Sequence, residues 1–179
     1  MNSAIRQFIP LAVAITLVCG LVYLVGQQNL RMNANDPQIQ TSEDLASNLS
    51  LNQKISFDSG AVDISKSLAS YIMVFNEKGE VSASTARLDG KIPNLPNGIF
   101  EYAKAHNQDR FTWQPRVGVR SAAVITYYKG KDNSGFVLAG RSLREVEKRE
   151  DQLLAQAILG GIVILVSTFI SILLFKNKK

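Results

Sequence analysis

Apolar positions fall into two regimes along this chain. Phe8 to Val25, FIPLAVAITLVCGLVYLV, carries no charge, and neither does Leu153 to Phe175, LLAQAILGGIVILVSTFISILLF, whose one amide is Gln156. At about 1.5 Å per residue, each run is long enough as a helix to cross a hydrocarbon layer of roughly 30 Å. Between the runs lies a polar segment, about Gln27 to Gln152, of a size that can bury a single core. The expected layout is a leading segment 1–7, a span 8–26, a domain 27–152, a second span 153–175 and a tail 176–179. A cleaved signal peptide is the alternative for the first span, but no small-x-small site follows it at Tyr23 to Gln28.

Within 27–152 the pattern predicts a helix, a hairpin, a loop with a short helix, three strands and an exit helix. Asp36 can cap and Pro37 suits a first helical position, so a helix is expected from there to about Leu51, with Ile39, Ala46 and Leu49 on one side. Tyr71 to Ser84, YIMVFNEKGEVSAS, reads as a hairpin turning at Asn76 to Gly79. Thr85 to Gly98 has two glycines and two prolines and reads as a loop. Ile99, Ala103 and His106 then share an inward helical stripe, with Phe100 beside them. RFTW (110–113), VGVRSAAVITYY (117–128) and GFVLAGR (135–141) are strand-like, and the KGKDNSG turn makes the last two an antiparallel pair. Strands grouped around an inserted helix define an α+β class with an antiparallel sheet.

Charge gives the span flanks a direction. Arg6 precedes the first span and Lys176, Lys178 and Lys179 follow the second, so both termini are expected in the cytoplasm and the central domain outside. Of 20 Lys and Arg residues, the other 16 nearly balance 15 Asp and Glu, so the net charge of +5 comes from the flanks. Such a balance gives no footing for a nucleic-acid partner. The single cysteine, Cys19, lies in the first span, so the outer domain has no disulfide and rests on its hydrophobic core.

Candidate chemistry is sparse. The chain has one histidine and lacks H-E-x-x-H, P-loop and G-x-S-x-G motifs, so neither an enzyme nor a metal or other cofactor is expected. His106 is the candidate switch or ligand contact; otherwise it is a helix-end histidine favoured by the dipole. Arg110, Arg116, Arg120 and Arg141 are spread over the last three strand-like runs, and the even spacing of Arg116 and Arg120 puts them on one strand face. Ordinary surface arginines on a sheet edge are the alternative. Phe111 and Trp113 share a face, and with Tyr127 and Tyr128 they suit a core or pocket wall.

The element order, the YIMVFNEKGEV hairpin and the FVLAGRSLREVEKRE strand-to-helix exit resemble the extracytoplasmic PAS-like sensor domains, of the PDC or single Cache type, of bacterial two-span receptors. The resemblance covers about 27–152. It implies a five-stranded antiparallel sheet with a long N-terminal helix behind it and a ligand pocket between the sheet and the loop-helix segment. It further implies a carboxylate-like ligand held by basic side chains of the sheet, which makes His106, Arg116, Arg120, Tyr127 and Arg141 the candidate ligand-binding set. Receptors of this kind continue into a kinase, cyclase or chemotaxis module, whereas this sequence ends in KNKK; a truncated receptor is one reading of that difference.

Leu143, Val146, Glu150, Leu153, Ala157 and Gly160 recur at alternating three-four spacing across the water-membrane boundary. Leu143, Val146 and Leu153 are the expected signalling seam. Ala157 with Gly161, and Ser167 with Ser171, are small residues four apart that let membrane helices approach. A homodimer or a membrane signalling partner such as a kinase is expected. The functional expectation is an extracytoplasmic sensor of a small molecule or protein that moves its exit helix; a non-sensing membrane adaptor or assembly subunit is the alternative.

Overall fold

The computed structural model describes residues 3–53, 60–96 and 98–176. It contains α1 (Ser3–Ser50), β1 (Val62–Asp63), β2 (Tyr71–Asn76), β3 (Val81–Ser84), β4 (Ala86–Arg87), α2 (Ile99–His106), β5 (Gln108–Arg116), β6 (Val119–Lys129), β7 (Ser134–Ser142) and α3 (Arg144–Lys176). The chain divides into two compact units, one formed by Met1–Arg31 with Glu147–Lys179 and the other by Met32–Val146.

The second unit is α+β, built on a five-stranded antiparallel sheet in the order β3-β2-β7-β6-β5. Its register sorts the side chains onto two faces, because successive strand residues point to opposite sides. Tyr71, Met73 and Phe75 of β2 lie opposite Gly140, Leu138 and Phe136 of β7, which in turn meet Ala123, Ile125 and Tyr127 of β6. Phe111 and Trp113 of β5 continue this face across Ala123 and Ser121. It is the core face. Val62, Ile64, Ala86 and Ala103 pack over it from β1, its following turn, β4 and α2, with Phe100 edge-on to both Phe75 and Phe136 at 5.0 and 5.1 Å between ring centroids.

The opposite face presents smaller buried side chains: Val74, Ala122, Val124, Thr126, Val137 and Ala139. The C-terminal part of α1 lies on it through Gln38, Ser42 and Ala46, all buried. Ser42 and Thr126 share a buried 2.9 Å hydroxyl-hydroxyl hydrogen bond, Gln108 Nε2 donates to Glu43, and Asn133 Nδ2 donates to the Leu49 carbonyl. Small residues let the helix backbone come close to the sheet, and hydroxyl and amide groups satisfy what that approach buries.

The sequence expectation needs three corrections here. No helix begins at Asp36: α1 runs unbroken through Pro37, whose ring is exposed. A proline inside a helix costs about 3 kcal/mol; burial of Gln38, Ser42 and Ala46 immediately downstream offsets it. Thr85 to Gly98 is not wholly loop, since β4 pairs in parallel with β1, and Leu88 bridges to Lys91. Two residues per strand leave no periodicity to read. VGVRSAAVITYY is not strand from its first residue, because Val117 and Gly118 form the turn between β5 and β6, with Gly118 at φ 78°. The 71–84 hairpin forms as expected: Asn76 Oδ1 accepts from the Lys78 and Glu80 amides, and Gly79 takes φ 80°.

In the first unit, the N-terminal part of α1 and most of α3 contain 18-residue windows of mean hydropathy 2.5 and 2.7, none of them buried within the protein. Two long apolar helices near the two ends fit a two-pass membrane protein.

Candidate functional site

Tyr71 and Ser121 form the polar part of the core face. Tyr71 comes from the first residue of β2, and its ring lies across Gly140 so closely that a Cβ there would collide with it. This carries the phenol toward β6, where Ser121 sits; the Trp113 ring is 6.2 Å from the Tyr71 ring. Tyr71 and Ser121 are 1% and 0% exposed, and neither hydroxyl makes a hydrogen bond of good geometry. Burial pushes the Tyr71 phenol well above its ordinary pKa, and the nearby Ser121 hydroxyl offsets this only in part. The phenol therefore stays protonated and available as a donor.

The arginines do not converge on this face. Arg116 ends β5 and Arg120 lies just inside β6, so the two stand on different strands of a hairpin instead of one. Arg116 pairs with Val119 on the core-face side, whereas Arg120 follows Val119 and points to the face that carries α1. The turn at Val117 and Gly118, with the register shift after Trp113, breaks the parity that even spacing implied. Arg116 is held by Asp89 in an exposed ion pair of 2.6 Å. Arg141, opposite Ala122, lies on the α1 face and donates to the Leu68 carbonyl at 3.0 Å. Arg144, at the start of α3, donates to the Lys66 carbonyl in the same strap.

His106 is exposed, not inward. It is the last residue of α2, Asn107 caps the helix in the left-handed region (φ 66°), and the ring lies back on Tyr102, one turn earlier, at 4.1 Å between centroids with Nδ1 3.0 Å from the Tyr102 carbonyl. Ala103 of the same stripe is buried as expected. Tyr127 is half-buried against Phe136, with Lys104 Nζ 5.7 Å from its ring centroid. Lys104 also pairs with Glu77 at 2.6 Å, and that bond, with one from Ser134, holds the Glu77 carboxyl below its ordinary range. Among the described residues, no three His, Cys, Asp or Glu side chains come together as a metal site.

In the membrane-type unit the two helices run antiparallel. Phe8 meets Phe169 edge-on at 5.2 Å, a Cβ on Gly161 would lie 3.5 Å from Cys19 Sγ, and one on Gly26 would lie 2.6 Å from Leu153. Leu153 of the expected seam, and Ala157 and Gly161 of the expected small-residue pair, thus face α1 of the same chain. An apolar groove of about 280 Å³ runs beside this contact, lined by Thr16, Cys19, Gly20 and Tyr23 of α1 and by Ala157 and Gly161 of α3, among others. Ser167 and Ser171 are exposed, and Ser171 Oγ bonds the Ser167 carbonyl. Leu143 is buried at the end of β7, its amide bonded to the Arg120 carbonyl, and Val146 is half-buried.

Sequence reasoning missed Arg31. Its guanidinium reaches Glu150 with Nε–Oε1 at 2.8 Å and Nη2–Oε2 at 3.3 Å. Glu150 is only 12% exposed. The hydrogen bond and charge of Glu150 raise the Arg31 pKa further above its ordinary value. The signal was an unpaired basic residue just past one span and an acidic one just before the other.

The chain matches no protein-family model and no curated protein.

Proposed function

We propose that this chain is a membrane-anchored extracytoplasmic sensor of the PAS-like type, which binds a small molecule or protein and passes a conformational change through α3 to a membrane partner. The observation that carries the reading is the direct passage from β7, a strand paired on both sides, through Leu143 into a 33-residue helix. A change in how the sheet packs has a covalent route into that helix. A ligand shifts such an equilibrium only by binding one arrangement better than another.

The distribution of charge divides the candidate ligands. No charged side chain is among the buried residues described, so a carboxylate on the core face would lose its hydration without gaining an ion pair. The Tyr71 and Ser121 hydroxyls there suit an uncharged hydrogen-bonding molecule. A carboxylate suits the other face, where Arg120 and Arg141 lie diagonally across β6 and β7.

One observation favours the adaptor reading. Tyr71, Met73, Phe75, Ile125, Phe136 and Leu138 fill the core face at 2% exposure or less, as they would in a domain that binds its partner by its surface.

Thermal unfolding of the full chain in lipid nanodiscs, against a panel of small carboxylates and uncharged metabolites, separates these readings. A ligand at 100 times its Kd adds about 2.7 kcal/mol, or roughly 5–10 °C for a chain of this size. A reproducible shift, weakened by Tyr71→Phe for an uncharged ligand or by Arg120→Gln for a carboxylate, supports the sensor. No shift, with stoichiometric ligand-independent copurification of a membrane protein, supports the adaptor.

A further inference from the structure

Four contacts fix one register between the two apolar helices. Along α1 they fall at Phe8, Cys19, Gly26 and Arg31, and along α3, in the opposite direction, at Phe169, Gly161, Leu153 and Glu150. The series covers roughly 34 Å of helix at 1.5 Å per residue. Three of the contacts are apolar and act through shape; after an advance of α3 by three residues Val166, Ile158 and Glu150 would stand opposite Phe8, Cys19 and Gly26. Arg31–Glu150 is different, because its two-point geometry specifies one partner position.

We infer that Arg31 and Glu150 form a releasable latch that sets the register of the two membrane helices, with Glu147, one turn back along α3, as the alternative partner. Glu147 is three residues before Glu150, so it shares that side of the helix. Its charge already acts on Arg31. An advance of α3 by three residues, about 4.5 Å, would put Glu147 where Glu150 stands. Glu150 would then stand opposite Gly26, one turn nearer the apolar span, where a carboxylate is costly. The charge on Glu150 thus favours the resting register twice, through the bond it makes and through the position it resists. Packed elements with two discrete arrangements are what switches are built from. The latch stands whether or not the outer domain binds a ligand, since register is read on the unliganded chain.

Oxidative cross-linking of the full chain in lipid bilayers tests it. Gly161→Cys places a thiol opposite Cys19, with a Cβ···Cβ separation of 4.0 Å that suits a disulfide. Ile158→Cys, three residues back, reports the advanced register. The expected result is fast intrachain cross-linking for Gly161→Cys and slow for Ile158→Cys while Glu150 is intact. Adding Glu150→Gln should slow the first and speed the second by roughly fivefold, on the scale of one ion pair. Glu147→Gln should leave the first fast, and the swap Arg31→Glu with Glu150→Arg should restore it in a chain with the same composition of charge. Unchanged rates in Glu150→Gln would overturn the latch, as would cross-links that form only between chains.

Discussion

Replacing Pro37 with alanine should stabilise the protein, although the sequence around it reads as a helix start that would be harmed. Pro37 lies inside α1, with helix on both sides. Having no N–H, it leaves the Asn33 carbonyl without its helical partner, and its ring crowds the preceding turn; together these cost about 3 kcal/mol relative to alanine. Two effects reduce what the substitution recovers. Alanine leaves the unfolded chain freer, which returns about 0.4–1 kcal/mol, and an exposed proline in a helix relieves part of its clash by bending the helix locally, which lowers what its removal recovers. The net expectation is a gain of about 1–2.5 kcal/mol. For a chain of this length that raises Tm by roughly 2–10 °C.

Trp113 is the only tryptophan, it is 3% exposed in the core, and its fluorescence reports unfolding of the domain in nanodiscs. Asp36→Ala is the paired control. In mid-helix it should be neutral or slightly stabilising, because alanine has the higher helix propensity. At an N-cap it would cost about 1 kcal/mol. A neutral or destabilising Pro37→Ala together with a destabilising Asp36→Ala would refute a continuous α1 and return the helix start to Asp36.

Three more outcomes follow from the packing and charge. Gly140→Ala should destabilise by about 1–3 kcal/mol in urea unfolding, since the new methyl meets the Tyr71 ring in a filled core; a neutral result would mean that the ring does not lie across β7. Tyr71→Phe should cost less than about 1 kcal/mol or stabilise, because it removes a buried hydroxyl without a well-formed bond; a larger loss would show that the hydroxyl is bonded. The lowered Glu77 pKa contributes stability that is present above the unfolded carboxyl value and lost as pH falls through the folded one, so Glu77→Gln should flatten the acid limb of the stability profile below about pH 4.5. An unchanged limb would mean that the contact with Lys104 does not persist in solution.

The elements were legible where their period was long enough to count. Tyr71 to Phe75 is a continuous β-prone apolar run followed by an Asn-Glu-Lys-Gly turn, so both strands and the turn could be read. The charged run after Ser142 continues into an apolar run without a breaker, and α3 has no break either. β1 and β4 are two residues each and exist because they pair with one another, which no local pattern encodes. Pro37 misled because its local preference was outweighed by what the following turns bury. The candidate site was less legible. Spacing gives the face of a residue only within one strand, and the turn at Val117 and Gly118 leaves Arg116 on β5 and Arg120 on β6. His106 was expected on the inward stripe, but α2 ends on it and it is exposed.

The two faces of the sheet also differ in how firmly they hold what covers them. On the core face the cover is aromatic and aliphatic: Phe100, Ala103, Val62 and Ile64 interlock with large side chains, and displacing them opens cavities that cost several kcal/mol. On the other face α1 rests on alanine, valine and threonine, tied by Ser42–Thr126, Gln38–Ser70 and Glu43–Gln108. Each such bond is worth about 1 kcal/mol net, and each has water or a neighbouring polar group as an alternative. A sheet held hard on one side and by short polar ties on the other yields first at the polar side. Binding that acts on this sheet therefore finds its least costly displacement in the α1 contact. The Arg31–Glu150 ion pair joins α1 to α3.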